Sequence, residues 1–141
     1  MSSPGRPRER GTAVKFRKPP RSCPEAVTYR SAPAAVAAGR RVITLLDGKG
    51  RDIGHVDYQV CHACGAGHVN TITVAGPWQG MGLGREALHR ATDPWSAYAW
   101  STSRQSADGR KFFAAMADET GVDFVPGAAG CPHITAAAQL L

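Results

Sequence analysis

The sequence predicts an α/β (α+β) domain built on a mixed central sheet, and three observations carry that reading. Two short runs rich in β-branched and apolar residues flank a turn signal at Asp47-Gly48-Lys49-Gly50, the pattern of a hairpin. A third extended run leads through a glycine-rich loop into apolar residues at helical spacing, Leu83, Ala87, Leu88 and Ala91. A fourth strand-like run and a second helical pattern follow. The order strand, strand, strand, helix, strand, helix makes a sheet that is antiparallel at its start and parallel where the helix crosses over. A length of 141 residues suits one domain, and 43% apolar residues are enough for a single ordinary core.

The elements justify themselves in turn. Residues 1–30 carry eight Lys/Arg against Glu9 and Glu25, whereas residues 31–141 balance nine against nine. That first segment is rich in Pro, Gly and Arg without a hydrophobic period, and reads as a basic, disordered arm. Residues 31–141 form the single domain. Residues 41–47 make the first strand, residues 51–60 the second and residues 68–74 the third, which Gly76-Pro77 ends. The first helix runs from Leu83 to the stop at Asp93-Pro94. Residues 97–102 supply the fourth strand. Residues 106–120 are helical, with Ser106 as N-cap, Phe112, Phe113, Met116 and Ala117 as the apolar face, and Gly121 as the C-terminal stop. The last twenty residues, broken by Pro126, Gly127, Gly130 and Pro132, read as irregular.

The loop Gln79-Gly80-Met81-Gly82-Leu83-Gly84 stands where a strand ends and a helix begins. A helix start offers unpaired N–H groups and a positive dipole end, and glycines let an anion approach the backbone. The dinucleotide fingerprint Gly-x-Gly-x-x-Gly fits badly, since no acidic residue ends a following strand at the right distance, and no Gly-Lys-Ser/Thr of a nucleotide-triphosphate loop is present. The pattern Gln/Arg-x-x-Gly-x-Gly/Ala does fit, at Gln79, Gly82 and Gly84. It resembles the coenzyme A pyrophosphate loop of the GNAT (GCN5-related) N-acetyltransferases. The resemblance runs over about residues 41–124. It takes in Ile72-Thr73-Val74 before the loop, Gly84-Arg85-Glu86-Ala87-Leu88 after it, and the strand and helix around Trp100-Ser101-Thr102-Ser103 and Ser106 to Phe113.

The resemblance implies a GNAT-like mixed central sheet with helices on both faces and truncated N- and C-terminal parts. It implies acyl transfer from acyl-CoA, usually acetyl-CoA, to an amine, with acetyl-CoA as cosubstrate. The cofactor-binding residues would be Ile72 and Val74 on the strand edge, Gln79, Gly80, Met81, Gly82, Leu83 and Gly84 in the loop, and Ser106 where the family often has Asn. The strand edge would hold the pantetheine arm and polarise the thioester carbonyl. The family's helix Tyr, a proton donor, is replaced here by Phe113. Asp57, Tyr58, His68, Ser103 and the arm remain as acid or base candidates, and none is assigned. The alternative is a degenerate, non-catalytic acyl-CoA-binding or nucleic-acid-associated interaction domain.

Three of the four cysteines fall in two short clusters, Cys61-His62-Ala63-Cys64 and Cys131-Pro132-His133. Cys-x-x-Cys in a turn is the usual zinc knuckle, and Cys131 with His133 would complete four ligands of a structural zinc. His62 or His68 could replace His133. Reduced thiols and a Cys61/Cys64 redox pair are the other readings. Cys23, in the arm, belongs to neither cluster. His55 and His89 read as surface residues or satisfied hydrogen-bond partners, and Trp95, Tyr98 and Trp100 as core or pocket wall. The basic arm reads first as a solvated, solubilising leader; the partners expected are acyl-CoA, an amine acceptor, a second copy in a homodimer and, where the arm does more, nucleic acid or an acidic protein. The balanced charge of residues 31–141 gives no nucleic-acid footprint of its own. No apolar run is long enough for a bilayer and the basic N-terminus lacks a hydrophobic segment, so the expected location is cytoplasmic, without a membrane.

Overall fold

The structure is a computed structural model and describes residues 27–139. The arm before residue 27, Cys23 included, lies outside them. Six strands form one sheet in the order of the sequence: β1 (Thr28–Ala32), β2 (Arg40–Leu46), β3 (Asp52–Cys61), β4 (Ala66–Val74), β5 (Ala99–Thr102) and β6 (Phe124–Pro126). β1 to β4 pair antiparallel, and β4, β5 and β6 pair parallel. Three helices complete the fold, α1 (Leu83–Thr92), α2 (Ala107–Thr120) and α3 (Pro132–Ala138).

The hairpin between β2 and β3 is held by Asp47. Its Oδ1 accepts the backbone N–H of Lys49 at 2.8 Å and of Arg51 at 2.9 Å. The helix limits follow the expected caps. Ser106 Oγ accepts the Gly109 N–H at 3.0 Å, and Gly121 closes α2 in the left-handed conformation.

Two parallel crossovers that advance the same way along a sheet put their helices on one face, and α1 and α2 do share a face. Val56, Tyr58 and Val60 of β3 bury there against Leu83, Ala87, Leu88 and Ala91 of α1 and Phe113 and Met116 of α2. The intervening β3 residues Gln59 and Cys61 point the other way, where α3 packs. Gln59 Nε2 donates to the Ile134 carbonyl at 2.9 Å, and Cys61 clusters with Cys131 and Ile134. The sheet therefore carries helices on both faces, as expected.

Three elements were not foreseen. β1 begins at Thr28, inside the segment read as the arm. It is a polar edge strand whose burial shows no alternation, so it carries no hydrophobic pattern. β6 is three residues long, and Pro126 at its end is tolerated because that strand is the sheet edge. α3, in the stretch read as irregular, has Pro132 at its start and buries only Ile134 and Ala137, too short a run to show a period.

Candidate functional site

β4 and β5 pair only where residues 66–69 meet Ala99–Thr102. Gly67 and Trp100 mark this zipped portion. A Cβ on Gly67 would sit 2.6 Å from Trp100 ring atoms, so only glycine lets the indole lie against β4. Ser103 then bonds twice to the neighbouring strand, its N–H to the Val69 carbonyl at 3.0 Å and its hydroxyl to the Asn70 carbonyl. Beyond that point the two strands splay. The β5-facing edge of β4 from Thr71 onward has no strand partner among the described residues. The register between β3 and β4 shifts here as well, with Asn70 as the extra residue of a bulge.

Two connected hollows occupy the splay. The larger, about 700 Å³, lies between the end of β4, the loop after it, the start of α1 and the cleft side of α2. The smaller, about 250 Å³, is lined by β4 residues Val69 to Ile72, by residues 102–106 and by Phe113. Ile72, Ser106 and Gly109 border both. The combined space is of cofactor size.

The loop builds an anion cradle from the backbone. Gly80 has φ +82° and Gly82 φ +78°, conformations that favour glycine. Gly82 is the N-cap of α1 and no side chain caps the helix, so no side chain claims the first-turn N–H groups at Leu83, Gly84 and Arg85, which line the large hollow. The Gln79 side chain folds back and donates from Nε2 to the Val74 carbonyl at 2.8 Å, pinning the loop to the strand end.

Of the residues expected to contact the cofactor, Ile72, Val74, Gln79, Gly80, Gly82, Leu83, Gly84 and Ser106 line the large hollow. Met81 does not; its side chain packs against the core. The wall contributed by α2, including Asp108, Phe112 and Glu119, was not foreseen as part of a site, because only the crossover brings it opposite α1. Phe112 and Phe113 did stand out as an apolar pair on the helix. Arg85 and His89 of α1 both reach Glu119 of α2, Arg85 Nε at 2.7 Å. The guanidinium of Arg85, then His89, lowers the Glu119 carboxyl below its ordinary range, and the bond from Glu119 raises His89.

The acid and base candidates are scattered. Tyr58 is buried on the helix side and burial raises its pKa. His68 is buried, which lowers its pKa, with Nδ1 2.7 Å from Ser101 Oγ. Asp57 is paired with Arg40 and accepts Asn70 Nδ2 at 3.2 Å. Among these four only Ser103 lines the splay.

The cysteine clusters do meet. The donor atoms of Cys61, Cys64, Cys131 and His133 all lie within 4.8 Å of one another. His133 Nδ1 is 3.5, 3.3 and 3.9 Å from the sulfurs of Cys61, Cys64 and Cys131. Tetrahedral zinc with bonds of about 2.3 Å to S and about 2.1 Å to N sets S and N about 3.6 Å apart, so the spacing suits that ion. His62 turns instead to Tyr98 OH at 2.9 Å, and His68 to Ser101, so neither replaces His133. Burial pushes the Cys131 thiol up, but the Ile134 N–H and the thiols of Cys64 and Cys61 pull it further down, to about 7; bonds to Cys131 and Cys61 push Cys64 up to about 12. The cluster sits at the β3–β4 turn, at the opposite end of β4 from the cradle.

No protein-family model matches the sequence, and no curated protein does. Solved structures do match. A protein from Deinococcus radiodurans R1, provisionally designated an acetyltransferase, superposes with a TM-score of 0.55 at 14% identity, over 80% of this chain and 93% of its own. The chain has the GNAT fold. An acetyltransferase from Thermus thermophilus matches at TM-score 0.48 and 23% identity, over 57% of this chain and 54% of its own. A ribosomal-protein-alanine N-acetyltransferase from Brucella melitensis biovar Abortus 2308 matches at 0.44 and 21%, over 55% and 59%. The loop after β4 and the splay beside it border adjoining hollows in this fold. No helix among the described residues is long and apolar enough to cross a membrane.

Proposed function

We propose that the chain is an acyl-CoA-dependent N-acyltransferase that moves an acyl group, acetyl in the simplest case, from the CoA thioester to an amine. The observation that carries this reading is that the start of α1, which no side chain caps, and the edge of β4, which has no strand partner among the described residues, open into the same hollow. An uncapped helix start suits a pyrophosphate. An unpaired strand edge suits the amide groups of a pantetheine arm, which it can bind as an added strand. The same edge offers N–H groups to the thioester oxygen as it gains charge.

In the reaction the amine nitrogen bonds to the acyl carbon, the C–S bond breaks, the nitrogen loses a proton and CoA leaves as a thiolate. An alkyl thiol has a pKa of about 8.5, so the thiolate needs a proton at neutral pH. Phe113, which lines the splay, has none to give. Solvent, or a hydroxyl of the acceptor, supplies it in this reading, and turnover is correspondingly slow. A metal at the Cys61, Cys64, Cys131 and His133 cluster, Zn²⁺ by its donor set, has a structural part and takes none in the transfer.

Calorimetry with acetyl-CoA, followed by thiol release over a panel of amines that includes aminoacyl-tRNA, tests the proposal. Micromolar binding with turnover of one amine class is expected. No binding at high micromolar acetyl-CoA defeats it, and binding without turnover across the panel assigns the chain to non-catalytic acyl-CoA binding instead.

A further inference from the structure

α3 is seven residues long, too short to hold together alone, and buries only Ile134 and Ala137. Two things anchor it. Cys131 and His133 at its start meet Cys61 and Cys64, and the Ile134 carbonyl accepts Gln59 Nε2. Gln59 is 1% exposed and fully engaged. Its Nε2 also donates to the Ala38 carbonyl at 2.8 Å, and its Oε1 accepts Asn70 Nδ2 at 3.0 Å. Asn70 is the bulge residue of β4, and its carbonyl takes the Ser103 hydroxyl where β5 parts from β4. Hydrogen bonds thus run without a break from α3 to the origin of the splay.

We propose that a Zn²⁺ ion held by Cys61, Cys64, Cys131 and His133 is a clasp whose grip on α3 fixes Gln59, and through it Asn70 and the width of the splay. The ion's structural half stands alone, while its bearing on ligand binding rests on the acyl-CoA reading of that splay. Three thiolates and one imidazole form a closed set with no open position, which suits structural rather than catalytic zinc. The clasp joins the β3–β4 turn to the last helix, about seventy residues apart in sequence, a separation at which a cross-link restrains the chain strongly. Without the ion α3 is kept on the sheet by the Gln59 hydrogen bond and by the buried side chains of Cys131, Ile134 and Ala137. Its departure takes an acceptor from a buried amide that also holds Asn70 in place. Cys64 and His133 are exposed, so a chelator can reach the ion.

The test uses the full chain purified under reducing conditions from zinc-containing medium. Metal analysis is expected to give one zinc per chain; a folded chain that carries no metal, or carries iron, overturns the clasp. Hydrogen exchange is then compared before and after chelation. The clasp requires exchange to quicken, by about tenfold or more, both in residues 131–139 and in residues 66–74. Loosening confined to residues 131–139 overturns the link to the splay. Cys64→Ser should reproduce chelation, and His133→Cys, which offers four thiolates, should keep the zinc and the protection even if Cys64→Ser does not fold. A loaded protein that passes these tests yet fails to bind acetyl-CoA defeats the acyl-CoA reading and leaves the clasp standing.

Discussion

Gly82 and Gly121 are a matched pair. Gly82 opens α1 with φ +78° and ψ 10°, and Gly121 closes α2 with φ +76° and ψ 5°. A Cβ at either meets nothing within 4 Å, so replacement by Ala brings strain and no clash. That strain is about 1–2 kcal/mol, roughly 4–8 °C in Tm for a domain of this size, and should be alike in Gly82→Ala and Gly121→Ala. Only Gly82 lines the hollow. A methyl there keeps the pyrophosphate from closing on the first N–H groups of α1. One charge-assisted hydrogen bond lost is about 1.5–3 kcal/mol, or about 10–100-fold in affinity. Calorimetry with acetyl-CoA on both variants, alongside thermal melts, reads the two effects separately. The cradle is refuted if folded Gly82→Ala binds within about twofold of the unsubstituted chain, or if Gly121→Ala weakens binding as much.

Three further outcomes are expected. Phe113→Tyr puts a hydroxyl into the splay; thiol release should rise at pH values below the thiol pKa of about 8.5, with acetyl-CoA affinity unchanged, and an unaltered pH–rate profile counts against it. Gln59→Leu keeps the volume but leaves Ala38 O and Ile134 O without their donor and Asn70 Nδ2 with Asp57 alone, so denaturant melts should show a loss of about 2–4 kcal/mol. His89→Ala should cost Tm in a pH-dependent way. Because Glu119 raises the folded pKa of His89, that contribution is complete below about pH 6.5 and is lost as pH climbs through the raised value. Glu119, lowered by Arg85 and His89, keeps its share above about pH 4.3 and loses it as pH falls through the lowered value. The Tm gap between the chain and His89→Ala should therefore peak between those limits and close at alkaline pH; a constant gap contradicts the bridge.

What the sequence made legible is what local chemistry dictates. Asp47-Gly48-Lys49-Gly50 announced a hairpin because Asp47 satisfies the turn by itself, and Ser106 and Gly121 bounded α2 because caps are local. The clustered Cys and His residues were legible because ligand spacing is written along the chain. β1 escaped because a polar edge strand has no apolar face to alternate. α3 escaped because two apolar residues make no period, and it forms through contacts with β3 rather than by its own propensity. The α2 wall of the cleft and the Gln59 network are products of topology, since they join residues from distant segments. Met81 shows two roles within one motif: the loop pattern names it for its backbone amide, while its side chain packs against the core.

The indole of Trp100 over Gly67, followed at once by the paired bonds of Ser103, has a mechanical consequence. A ligand pushed between two strands is a wedge, and a wedge drives a tear along the line of weakest bonding. Here the tear meets a rivet: a large, buried ring seated where only glycine allows it, its Nε1 donating to the Trp95 carbonyl at 3.0 Å. Strain from a ligand entering the splay would be arrested at that line. A sheet riveted in this way stays parted at one end while its other half is held shut.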